Sequence, residues 1–248
     1  MRVAAAQLTA VPGDVEANVA AHVELVHAAA ARGACLVAFP ELSLTGYELD
    51  RIAGSPELTL AEDDPRLAPL RVACATTGVT AVPGLPMPTP GGGRQLCALA
   101  LGGDGAAVRC AKTFLHGPEA ELFAAGDGPV VLDLAGRRLG LGVCFDAAHP
   151  EHARAAAAAG AEVYVCGAIF ARDAEPRLLA QASGRAAENG IYVLFALTSG
   201  PAGPHDTGGG SGIWDPAGQP VVRLGAEAPA LAVGEIAAVP RHSVEKLT

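Results

Sequence analysis

No run of lysines or arginines occurs in the 248 residues, and 26 acidic residues outnumber 17 basic ones for a formal charge of −9 at pH 7. The positive surface that a phosphate backbone requires is missing, which excludes a nucleic-acid partner. No C-x-x-C pair is present either. The six cysteines, Cys35, Cys74, Cys97, Cys110, Cys144 and Cys166, are scattered along the chain, so neither a disulfide framework nor a structural zinc cluster is expected. Apolar stretches of membrane-spanning length are absent. The opening "MRVAAAQLTAVPGD" has one basic residue and is broken by Gln7 and Pro12, too short and polar for a secretory core or a span. The expectation is a cytoplasmic protein with no membrane partner. The two most Gly/Pro-rich stretches, "GLPMPTPGGGRQ" (84–95) and "SGPAGPHDTGGGSG" (199–212), lack the layout of a phosphate-binding loop and are read as flexible loops bordering a pocket.

What is present is apolar: 50% hydrophobic residues against 17% charged, enough for one large core, and residues 1–248 are read as a single domain. Apolar runs alternate with amphipathic segments. "RVAAAQL" (2–8) reads as a strand, and 15–33 as a helix with Asp14 at its N-cap and Gly33 at its end. Strands follow at 34–40, 79–84, 97–102, 138–144, 162–167 and 191–197, and helices at 65–77, 150–159 and 176–189. This alternation predicts an α/β fold with helix-covered strands. Beyond residue 200, "SGIWDPAGQPVVRLG" and "ALAVGEI" read as hairpins.

Three segments place a reactive group at or near the end of an apolar run, where open α/β folds assemble their sites. The first is Glu41 in "LVAFPELSLTGYE"; the second carries Lys112, His116, Glu119 and Asp127 in "AKTFLHGPEAELFAAGD"; the third is Cys144 in "LGLGVCFDAAHPEHARA". Taken singly, Glu41 reads equally as a loop carboxylate and Lys112 as surface charge. Cys144 reads as buried filler, as a metal ligand with His149, or as a nucleophile on a tight bend before a helix. Asp146 reads as a turn-stabilising residue.

In order and spacing, the segments resemble the nitrilase, or carbon-nitrogen hydrolase, superfamily, and the resemblance covers essentially the whole chain. "FPELSLTGY" resembles its general-base segment. "KTFLHGPEAELFAAGD" resembles its lysine segment, with Glu119, Phe123, Gly126 and Asp127 at the second glutamate and F-x-x-G-D. "GVCFDAAHPE" resembles its nucleophile segment, and "RAAENGIYVLFA" and "GGGSGIWDPAGQPV" its later ones. The resemblance implies a four-layer α-β-β-α sandwich. It makes Glu41, Lys112 and Cys144 the catalytic set, Glu119 a supporting acid, and the backbone N–H of Phe145 an oxyanion donor. It implies no metal or cofactor, a small amide or nitrile substrate, and a homodimer or larger homo-oligomer.

The chain departs from the family at Ala147, Ala148 and His149, which follow C-F-D, and at Leu197, which stands in place of a common Asn. With His116, the three residues after C-F-D are read as pocket lining, the alanines leaving more room beside the nucleophile. The expected activity is hydrolysis of a small amide, carbamoyl or ureido C–N bond through a thioester. The alternatives are nitrile hydrolysis, acyl transfer through the same intermediate, and a catalytically silent binding module.

Overall fold

The computed structural model describes residues 1–237; the remainder of the expected 1–248 domain lies outside them. The first half of the chain contributes β1 (Arg2–Leu8), α1 (Val15–Ala31), β2 (Leu36–Ala38), α2 (Leu49–Gly54), α3 (Ala68–Thr77), β3 (Thr80–Val82), β4 (Gly84–Pro88), β5 (Arg94–Leu101) and β6 (Ala107–Ala111). The second half contributes α4 (Glu119–Leu122), β7 (Val130–Leu134), β8 (Arg137–Val143), α5 (Pro150–Ala158), β9 (Val163–Ala168), α6 (Glu175–Asn189) and β10 (Tyr192–Ala202). Short strands β11 (His205–Gly208), β12 (Gly212–Trp214), β13 (Pro220–Arg223) and β14 (Ala230–Glu235) follow.

The strands join in the order β4-β5-β3-β2-β1-β10-β9-β8-β7. Strands β3, β2, β1, β10, β9 and β8 run parallel at the centre, and are apolar along nearly their whole length because both faces are covered. The sheet curls, so that β5 and β6 pack on β8, and β2 on β9. Helices α1 and α3 pack together on one outer face, and α5 and α6 on the other. The result is the expected four layers, with the two β layers continuous through the β1–β10 pair.

Local signals explain three of the helix ends. The Asp14 carboxylate accepts the Ala17 N–H at 3.0 Å and opens α1. Glycines in the left-handed region close α3 at Gly78 and α6 at Gly190.

Three segments differ from expectation. Residues 84–95 form the β4–β5 hairpin rather than a flexible loop. Pro86 and Pro88 are tolerated there because β4 ends the strand order and one of its edges has no ladder to feed. Within 199–212, β10 runs on to Ala202 and turns back as β11. "ALAVGEI" forms no hairpin with its neighbour but crosses the molecule to pair with β1, from Arg2 with Glu235 to Gln7 with Ala230. The β12–β13 hairpin is as expected.

The fold grips one loop with particular closeness, the segment Phe39–Leu42 that follows β2. A Cβ on Gly167 of β9 would overlap the Phe39 carbonyl oxygen and sit 3.2 Å from the Glu41 N; on Gly84 it would fall 2.6 Å from the Pro40 oxygen. Backbone from both β layers therefore touches this loop where no side chain fits. Ser43 is fixed by the Gly84 N–H, which donates to its Oγ at 3.1 Å, and by His22 at 2.9 Å. His22 Nδ1 lies 2.7 Å from the Asn18 carbonyl, which can only accept. The ring is thus the Nδ1–H tautomer and Nε2 accepts the Ser43 hydroxyl. Burial pushes the His22 pKa down to about 4, against a raising hydrogen bond to Asn18.

Gly167→Ala is expected to destabilise by about 1–3 kcal/mol through overpacking. Gly184→Ala, in the interior of α6 with only an ordinary contact at 3.7 Å, is expected to stabilise by about 0.5–1 kcal/mol; urea midpoints measure both. Because the unfolded chain protonates His22 near 6.5 and the folded chain only near 4, stability falls as pH drops through that window, by up to about 3 kcal/mol. Denaturation of a His22→Gln variant across pH 7 to 4 is expected to show a shallower slope.

Candidate active site

Glu41 follows Pro40 at the end of β2, and the next residue, Leu42, is held at φ +49°, a strained conformation for a branched side chain. Its carboxylate is 2% exposed and faces Lys112, whose Nζ is 2.7 Å from Oε1. Lys112 directly follows β6. Its backbone is pinned on both sides, the N–H donating to Leu96 and the carbonyl accepting from Gly126, each at 2.8 Å. Gly126 belongs to the F-x-x-G-D segment, and a Cβ there would overlap the Ala111 carbonyl oxygen, which accounts for glycine at that position. The Lys112 side chain is fully buried.

Glu119 opens α4 and supplies the second carboxylate to Lys112, at 2.7 Å from Oε2 and 2.8 Å from Oε1. It also accepts the Tyr47 hydroxyl and the His116 N–H, both at 2.8 Å. One ammonium is therefore shared by two carboxylates with almost no water. Burial raises the Glu41 pKa to about 7; Lys112 acts against that rise, and the Glu119 charge adds to it. Burial alone would discharge Lys112, but Glu41, Cys144 and Glu119 together keep it well above its ordinary value and therefore cationic.

Cys144 sits where β8 ends, at φ +46°, and opens a short 3-10 turn, Cys144–Ala148. Its thiol donates to the Ile169 carbonyl oxygen at 3.7 Å and lines the same cavity as the Glu41 carboxylate. Burial, and then the Glu41 charge, push its pKa well above the ordinary thiol value, so the resting sulfur keeps its proton. Asp146 staples this turn in place. One carboxylate oxygen accepts the N–H groups of Thr113 and Phe114 at 3.0 and 2.8 Å, and the other accepts that of Val143 at 2.9 Å. The stabilising role expected of Asp146 thus extends from its own turn to the loop that follows Lys112.

Glu41, Lys112, Glu119 and Cys144 line a cavity of about 160 Å³ together with Tyr47. Phe145, Ala148, Ile169 and Phe170 form apolar walls, and His116, Arg177, Gln181 and His205 reach its lining. Two of the expected pocket residues lie elsewhere. Ala147 is fully buried in the core beneath α5 and α6, and His149 stacks on Phe114 at 3.7 Å between ring centroids, with its edge toward Phe145. The 3-10 geometry turns successive side chains about 120° apart, so only one residue of "AAH", Ala148, reaches the cavity. Among the described residues, no group of three or more His, Cys, Asp or Glu is placed to hold a metal ion. No helix among them is long and apolar enough to cross a membrane.

Sequence reasoning missed Tyr47, Phe170, Arg177, Gln181 and His205. Tyr47 was within reach, since it lies in the quoted Glu41 segment; the others come from elements whose approach to the site only the fold reveals. Lys112 also carried an unused signal. Of the 17 basic residues, two are lysines, Lys112 and Lys246, and the remaining fifteen are arginines, so a lysine ending an apolar strand is an uncommon choice in this chain.

The carbon-nitrogen hydrolase family profile matches residues 2–243. A hydrolase of Mycobacterium tuberculosis is 32% identical over 263 residues, covering 95% of this chain and 89% of that protein. A glutamine-dependent NAD(+) synthetase of Rhodobacter capsulatus is 31% identical over 232 residues, and the match spans 90% of this chain but 41% of that longer protein. The amidase of Nesterenkonia sp. AN1 superposes with a TM-score of 0.86 at 34% identity, over 96% of this chain and 93% of that one. Structures of that amidase include acrylamide added at its active-site cysteine and a complex with butyramide. Profile, relatives and fold agree: the chain belongs to the carbon-nitrogen hydrolase family, as an amidase-type hydrolase of C–N bonds.

Proposed function

We propose that the protein hydrolyses a short amide through a thioester on Cys144, with Glu41 as general base and acid, Lys112 as oxyanion partner and Glu119 as the group that positions Lys112. The observation that carries this reading is that the Glu41 carboxylate, the Lys112 ammonium 2.7 Å from it and the Cys144 thiol line one cavity.

The sequence of proton transfers follows from that placement. Glu41 takes the thiol proton as the sulfur attacks the amide carbon, so no free thiolate need be stored in a site that disfavours it. The carbonyl oxygen becomes anionic in a pocket that offers the fixed Lys112 charge and the Phe145 N–H. Glu41 returns the proton to the departing nitrogen, the C–N bond breaks, and ammonia leaves with the thioester behind. Water entering that space gives its proton to Glu41, attacks the thioester carbon, and releases the carboxylic acid with the thiol reprotonated. A carboxyl group with a pKa near 7 is suited to both directions of transfer at neutral pH. Lys112 keeps its charge throughout because Glu119 holds it even while Glu41 carries the proton.

The volume, about 160 Å³, is below the roughly 300–1,000 Å³ of sites for drug-sized ligands, which supports a short acyl group. The expected organisation, one domain working as a homodimer or larger, belongs to the same proposal, and sedimentation of the full chain checks it.

Ammonia release from a panel of short amides, carbamoyl compounds and nitriles tests the activity, and intact-mass spectrometry tests the intermediate. Cys144→Ala is expected to lose turnover by roughly 10⁴-fold or more, and Glu41→Gln by about 10²- to 10⁴-fold; full turnover by Cys144→Ala sinks the mechanism. The acidic limb of kcat/KM is expected near pH 7, rising as Glu41 loses its proton. Glu119→Gln removes a charge that raises Glu41 and is expected to move that limb to lower pH. An unmoved limb would show that another group sets it.

A further inference from the structure

The proposed reaction uses the floor of the cavity and leaves its cationic rim unexplained. Arg177 stands in the first turn of α6, exposed to solvent, and reaches the cavity lining. Its guanidinium carbon lies 5.6 Å from the centroid of the Phe170 ring, a seat that orients the side chain without neutralising it. The neighbouring arginines are all compensated: Arg172 by Asp206, Arg185 by Glu188 and Arg223 by Glu175. Arg177 makes no ion pair among the described residues, although Asp173 and Glu175 are its neighbours in sequence. Gln181, one turn further along the same face of α6, also lines the cavity.

We propose that the substrate is a short amide bearing a carboxylate at the end remote from the scissile bond, and that Arg177, assisted by Gln181, is the specificity-determining residue that holds it. This rests on the amidase reading and deepens it. A guanidinium presents paired N–H donors that match the two oxygens of a carboxylate, and here that fork is left without an ion-pair partner among the described residues, beside the Phe170 ring. No carboxylate lines the cavity except Glu41 and Glu119, both already bound to Lys112. An anionic tail is repelled by those two acids and drawn to the rim, which places the amide end toward Cys144. A cationic tail is repelled by Arg177 there and finds no free carboxylate in the lining. The volume of about 160 Å³ limits the spacer to a few carbons.

Rates with succinamate and with butyramide, in which a methyl group replaces the carboxylate, test the proposal at equal ionic strength. The native protein is expected to favour succinamate in kcat/KM by about tenfold or more, as a hydrogen-bonded charge pair provides, and to lose that preference as salt rises. Arg177→Gln is expected to lower the succinamate-to-butyramide ratio by about tenfold, and Arg177→Lys to restore part of it. If butyramide is hydrolysed but succinamate is not preferred, or the ratio is the same in Arg177→Gln, the proposal is overturned while the amidase reading stands. If neither amide yields ammonia, both fall.

Discussion

One ammonium held between two carboxylates, with almost no water, is the interaction on which the rest of this structure depends. Lys112, Glu41 and Glu119 are each no more than 2% exposed, and burying three charges costs several kcal/mol per ion unless each finds partners. The surroundings meet that demand in full. Glu119 accepts from Lys112, Tyr47 and the His116 N–H, while Glu41 accepts from Lys112. With one positive and two negative charges, the cluster carries a residual negative charge that burial turns into proton affinity at Glu41. The acid–base group of the site is in this sense a product of imperfect neutralisation.

Such a cluster works only if its members cannot drift, and the fold supplies constraints from several directions. The Glu41 loop is wedged between Gly84 and Gly167, where backbone approaches too closely for any Cβ, and is anchored through Ser43 to the neutral ring of His22. The Lys112 loop and the Cys144 turn are joined by a single carboxylate, that of Asp146, which accepts three backbone N–H groups across them. Each reactive side chain sits at or just beyond a strand end, and curling of the sheet brings ends from both β layers to one place. Strain at Leu42 and Cys144, both with positive φ, is concentrated where the reactive residues stand.

Much of this was legible in the sequence. The parallel strands announce themselves as unbroken apolar runs, Asp14 and Gly33 mark the ends of α1, and the reactive residues stand at run ends within motifs whose order carries more information than any one of them. Other parts were not legible, for physical reasons. β4 contains two prolines that argue against a strand unless its edge position is known, and β14 pairs with β1 across more than two hundred residues, beyond any local signal. "AAH" looked like three wall residues because sequence alone does not reveal the 3-10 turn that sends Ala147 into the core and His149 against Phe114. Arg177 reaches the cavity from a helix thirty-three residues after Cys144, and helical periodicity gives no hint of which end of α6 faces the site.

The central claim is that Glu41, perturbed by its buried neighbours, controls the protonation of Cys144. The most direct measurement is the rate of Cys144 alkylation by iodoacetamide as a function of pH, followed at that residue by peptide mass mapping. The account predicts a rate that rises with an apparent pKa near 7, levels off above it, and loses that step in Glu41→Gln. A rate that climbs only above pH 9, or that is unchanged by Glu41→Gln, would contradict it.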